Sequence, residues 1–200
     1  MTAPSRVSSE EERTTGENRR AVFAAPELIR VVPLHPDPPS RPLLQWLAAE
    51  LGSRLCTTVV VDAPLESPTS WRPGDDGQLS SGAIVDSLME RFPAAGGGDA
   101  NWVLGVATSD LRGGGRDYVF GEATFGGAWA VVSLARLGAA GGPQFRSRLL
   151  RESLHELGHL AGLRHCRERA CLMAPAIRVE DIDAAGVSPC PICSSPTAGT

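Results

Sequence analysis

The feature that most constrains this chain is the segment 155–193. It opens as His155-Glu156-Leu157-Gly158-His159-Leu160-Ala161-Gly162-Leu163-Arg164-His165-Cys166, passes Cys171 and Met173, and closes on Cys190-Pro191-Ile192-Cys193. Three of the 4 histidines and four of the 5 cysteines lie inside it. Side chains at i and i+4 stand one above the other on a helix, so a helix here offers His155 and His159 to a single ion. Gly162 follows three residues later, where the helix is expected to stop, because glycine takes left-handed dihedrals at little steric cost. The chain can then turn back and return His165 to the same point. Three neutral nitrogens and a water make an open tetrahedral zinc site, the form taken by catalytic zinc. Glu156, beside the first ligand, is placed to hold the zinc-bound water and take its proton. Two surface histidines are the competing reading of the pair alone, since the short pattern also arises by chance. The glycine and the third histidine at this spacing favour metal.

The cysteines form a second argument. Cys166 and Cys171 make one pair and Cys190 and Cys193 a C-x-x-C pair. Two such pairs separated by a short insert read as a closed four-thiolate zinc site. Two disulfides or a redox C-x-x-C are the alternatives. No secretory leader is expected, and the strand-helix setting of a thioredoxin-like redox pair is absent.

At this point the sequence resembles the archaemetzincins, a branch of the metzincin zinc peptidases. Their pattern is His-Glu-x-x-His-x-x-Gly-x-x-His-Cys, four residues, Cys, one residue, Met, about seventeen residues, and Cys-x-x-Cys. The chain follows it through Met173 and has sixteen residues before Cys190. The resemblance implies that His155, His159 and His165 ligate a catalytic zinc and that Glu156 is general base and acid. It makes Gly162 the turn, Met173 the methionine beneath the site, and Cys166, Cys171, Cys190 and Cys193 the ligands of a structural zinc, two Zn(2+) per chain. Several other metzincins carry a tyrosine soon after that methionine. Here Ala174-Pro175 follow it, and the single tyrosine is Tyr118.

The remaining sequence supplies the scaffold. Residues 1–26 combine an acidic run with no apolar periodicity and are expected to be disordered. Residues 27–193 are expected to form one domain, and 194–200 a polar tail. Apolar, β-branched runs at 28–34, 57–62, 101–108, 117–123 and 128–134 read as five strands. Helical periodicity covers 41–55, 81–92 and 144–163, and a short helix is expected near 180–183. His35 is read as a loop surface residue, Cys56 as a buried structural thiol, and Trp71 as packing down from a long loop. Asp110, at the carboxyl end of a strand, is a candidate to support the site, a turn cap being the commoner role.

The expected fold class is thus α/β: a metzincin-like zinc peptidase domain with a twisted, mixed five-stranded sheet, packed helices and a zinc cleft. The resemblance makes segment 117–123 an antiparallel edge strand over that cleft, free to pair with an extended peptide. All 19 basic residues are arginine, which excludes a phosphate-loop lysine, a Schiff-base lysine and a Ser-Lys dyad. The net charge of −4 disfavours nucleic acid, and no apolar run is long enough for a transmembrane helix. The expected function is zinc-dependent peptide-bond hydrolysis on a peptide or protein substrate, by a cytoplasmic monomer. The alternative is a zinc-stabilised peptide-binding protein with little or no peptidase activity.

Overall fold

The structure, a computed structural model, describes residues 21–71, 77–93, 101–140 and 142–195. Its centre is a five-stranded sheet in the order β2-β1-β4-β8-β7. These strands are β1 (Leu28–Pro33), β2 (Thr58–Val61), β4 (Trp102–Ala107), β7 (Gly121–Ala123) and β8 (Trp129–Ser133). β1, β2, β4 and β8 pair in parallel, and β7 runs antiparallel to β8 at the edge.

The two faces of the sheet sort the side chains with period two. Ile29, Val31, Leu104, Val106, Ala130 and Val132 face helices α1 (Arg41–Leu55) and α3 (Pro143–Leu160). Val32, Val103 and Val131 face helix α2 (Ser81–Arg91). Helices on both faces require strands apolar on both faces, and all six residues of β4 are buried. Gly105 in β4 admits α2 closely: a Cβ there would lie 3.1 Å from Leu88 and 3.2 Å from Leu34. The Ser80 hydroxyl caps α2 by accepting from the Ala83 N–H.

Four features depart from the expectations. The strand expected at 117–123 is two strands. β6 (Arg116–Val119) pairs with β5 (Leu111–Gly113), and β7 pairs with β8. Phe120 between them turns inward, 4 % exposed. Together with β3 (Leu79–Ser80), β5 and β6 form a second, three-stranded sheet, whose hairpin turns on Gly114 and Gly115 at positive φ. Cys56 is exposed, not buried. It ends α1 with φ 52°, its N–H closing on the Gly52 carbonyl, so backbone geometry at the helix end sets its place. Of the segment expected to be disordered, residues 1–20 lie outside the described residues. Residues 21–26 do not lie apart: the Val22 N–H donates to the Arg54 carbonyl at 2.9 Å and Phe23 packs on Trp102.

Trp71 is fully buried and its indole N–H donates to the Ser87 hydroxyl at 2.8 Å, the packing role expected of it. Among the described residues no helix is long and apolar enough to cross a membrane.

Candidate metal centre

Helix α3 carries the first half of the site. Phe145, Leu149, Leu154 and Leu157 seat it against the sheet. Its end is a Schellman motif: the Gly162 N–H donates to the His159 carbonyl at 3.0 Å and the Leu163 N–H to the Gly158 carbonyl at 2.9 Å. Gly162 takes φ 81° there, and the reversal brings His165 back over the helix.

Hydrogen bonds set the tautomers. The His155 Nδ1 lies 2.9 Å from the Leu172 carbonyl and the His159 Nδ1 2.8 Å from the Leu163 carbonyl. A carbonyl only accepts, so both Nδ1 atoms carry hydrogen and both Nε2 atoms present lone pairs. The His159 Nε2 lies 3.1 Å from that of His155 and 3.2 Å from that of His165. Burial, reinforced by the neighbouring His159, pushes the His155 pKa down to about 3. Burial also lowers His159 and His165. All three imidazoles are therefore neutral, and the lone pairs of His155 and His159 face each other with no proton to share. A metal cation satisfies that arrangement and a hydrogen bond does not.

Glu156 is 4 % exposed. Burial raises its carboxyl well above the usual carboxylate range, and Glu152 and Glu122 add to the shift. The edge strand reaches it through Gly121, where a Cβ would lie 2.6 Å from the Glu156 Oε1 and 2.8 Å from the Val131 carbonyl oxygen. The cleft between β7 and α3 has a volume of about 290 Å³. Arg116, Phe125, Pro175 and Ala176 complete its walls. Met173 is fully buried beneath the helix, its backbone carbonyl accepting from the Cys166 N–H at 2.8 Å.

The Sγ atoms of Cys166, Cys171, Cys190 and Cys193 lie within 4.8 Å of one another, and none of these cysteines is in a disulfide. Backbone N–H groups point at the sulfurs. Cys171 accepts from Met173 at 3.4 Å and from Cys190 at 3.2 Å, and Cys166 accepts from Glu168 at 3.5 Å. The Cys193 N–H beside the Cys190 sulfur lowers its pKa to about 7, while burial raises Cys171 and Cys193. One cluster of four sulfurs solvated by amides fits a thiolate-bound metal better than two separate bridges. The two clusters could hold two zinc ions.

Other candidates lie elsewhere. His35 faces Glu66 at 3.4 Å, away from the cleft. Asp110 does not reach the histidines. It binds Arg136 at 2.6 Å and Gln78 at 2.8 Å, and the Arg136 guanidinium stacks 3.8 Å from the centre of the Tyr118 ring. The Tyr118 hydroxyl donates to the Ile177 carbonyl. The sequence reading missed Glu152, which lines the cleft one turn before Glu156. Its signal was a carboxylate at i−4 on a helix face otherwise apolar.

Comparison with known proteins agrees with this geometry. The model of peptidase family M54 matches residues 100–197. An archaemetzincin of Archaeoglobus fulgidus is 44 % identical over 92 residues, covering 46 % of this chain and 57 % of the relative. The match thus spans little more than half of that relative. An archaemetzincin of Haloarcula marismortui is 32 % identical over 144 residues, covering 68 % of this chain and 80 % of the relative. The crystal structure of the Archaeoglobus fulgidus archaemetzincin in complex with malonate superimposes with a TM-score of 0.72 at 31 % identity, over 83 % of this chain and 97 % of that one. The mixed sheet with its antiparallel edge above the histidine helix is a metzincin-like zinc peptidase fold. Within that class, the chain belongs to the archaemetzincin family.

Proposed function

We propose that the protein hydrolyses peptide bonds with zinc held by His155, His159 and His165, and that Glu156 is its general base. The observation that carries this reading is the convergence of three neutral imidazoles on one point beside a buried carboxyl group, under an open sheet edge. When bound, the zinc polarises the scissile carbonyl and brings its water to a pKa of about 7. Glu156 accepts the proton of the attacking water and passes it to the leaving amine. The free edge of β7 offers main-chain groups to an extended peptide and lays it across the cleft. Cys166, Cys171, Cys190 and Cys193 hold a second, structural zinc, which braces the segment bearing His165. Thiolates kept for metal need a reducing compartment, consistent with cytoplasm. One chain contains both centres complete, so a monomer suffices.

A second reading, a zinc-stabilised peptide binder, draws on one observation. The only tyrosine commits its hydroxyl to Ile177, and no described residue lining the cleft carries a hydroxyl to steady an oxyanion. A peptide-library turnover assay on zinc-loaded protein decides between them. Cleavage that disappears in Glu156→Ala, with both zincs retained, is the expected result. Turnover surviving in Glu156→Ala overturns the base assignment, and binding without turnover in the native protein favours the binder.

A further inference from the structure

Glu152 lines the cleft yet is only 6 % exposed. Its carboxylate accepts no hydrogen bond and forms no ion pair among the described residues. The other acids near it have duties: Glu122 accepts from the Ser81 hydroxyl at 2.5 Å, and Glu156 stands beside the histidines. Nor is the chain short of cations on this helix. Arg148 pairs with Asp183 at 2.6 Å, Arg146 lies over the Trp46 ring, and the buried Nε of Arg151 goes without an acceptor. None is turned to Glu152.

A buried carboxylate without a partner costs several kcal/mol, and an apolar side chain of equal volume would pack the same space without that penalty. Arg116 is the one cation on the cleft walls, and it lies in an exposed position where solvent screens it.

We propose that Glu152 receives a cationic nitrogen of the substrate, an ammonium or a guanidinium next to the scissile bond, and so makes the cleft selective for positively charged substrates. The source is either a basic side chain or a free amino terminus. The proposal rests on the zinc peptidase reading, since it places substrate in this cleft.

The test is binding to zinc-loaded protein, which needs no turnover. Three probes are titrated by calorimetry: N-acetyl-norleucine hydroxamate, with no cation; N-acetyl-lysine hydroxamate, with a side-chain ammonium; and norleucine hydroxamate, with a free amino terminus. One of the two cationic probes should bind about tenfold tighter than the neutral one, as for a charge-assisted hydrogen bond. Which one does so identifies the source. In Glu152→Gln, and in Glu152→Met as a second variant, the preference should fall to within about twofold, with zinc content unchanged. Equal affinities in the native protein overturn the proposal without recourse to any variant. A preference that survives Glu152→Gln, or an equal loss for all three probes, also overturns it. The last outcome would make Glu152 a support for Glu156. Protein that binds none of the probes overturns the zinc-site reading as well. Selective binding without peptide turnover would leave this proposal standing and remove the peptidase reading alone.

Discussion

Met173 lies directly under Gly158: a Cβ on that glycine would stand 2.6 Å from the methionine sulfur. The glycine inside the histidine motif is therefore a packing requirement, and the methionine sets the height of the helix turn between His155 and His159. Gly158→Ala should destabilise the fold by about 1–3 kcal/mol through overpacking and weaken metal binding at the histidines. Chemical denaturation and zinc titration check both. Adding Met173→Ala should recover part of the stability loss, and purely additive effects would refute the contact.

Gly121 makes a different demand. A Cβ there meets the Glu156 carboxylate and the Val131 backbone oxygen together, and the backbone cannot yield cheaply. Gly121→Ala should lower peptide turnover by more than about tenfold with the histidine zinc retained, because a small misplacement of a catalytic group is costly. Turnover within about twofold of native would show that Glu156 is not held by the edge strand.

The sulfur cluster predicts a metal count. Purified protein should hold two zinc ions per chain, and Cys190→Ser with Cys193→Ser should hold one, retained by the histidines. Two zincs in the variant, or one in the native protein, would remove the four-thiolate centre.

The pH response of the zinc-free protein follows from Glu152. Burial raises its folded pKa to about 7 from the ordinary glutamate value of 4.5. Between these values the folded state keeps a proton that the unfolded state has released, so folding stability falls as pH rises through the window. Glu152→Gln removes that penalty. Native and variant should be equally stable below about pH 4.5, and the variant should be more stable by up to about 3 kcal/mol above pH 7. Asp183 acts oppositely: its hydrogen bond from Arg148 lowers its pKa, a stabilisation present at neutral pH and lost on acidification. Urea denaturation from pH 4 to 8 checks the sign, and a constant difference between native and variant would count against a buried, unpaired Glu152.

Much of this was legible because it is encoded locally. Helix α1 spans 41–55 as its leucine spacing predicts, and the three histidines meet because i, i+4 and a glycine reversal are short-range geometry. The edge strand was legible in kind but not in extent. The break at Phe120 arises because β6 and β7 find different partners, and pairing over that distance leaves no periodic trace in one strand. Cys56 was misplaced because burial was inferred from its residue type, whereas a left-handed helix end turns it outward. Glu152 looked like any helix carboxylate, since only the overhanging strand and the folded-back His165 segment take it out of water.

His165 and Cys166 are consecutive residues, one from each cluster, and the Cys166 N–H is tied to the carbonyl of Met173 beneath the first. With metal in both clusters, as proposed, that one peptide unit would join the two coordination spheres. Occupancy of one would then be linked to occupancy of the other, and such linkage is reciprocal. A chelator that strips the sulfurs would loosen the histidine site, and filling the histidines would tighten the sulfurs by the same factor.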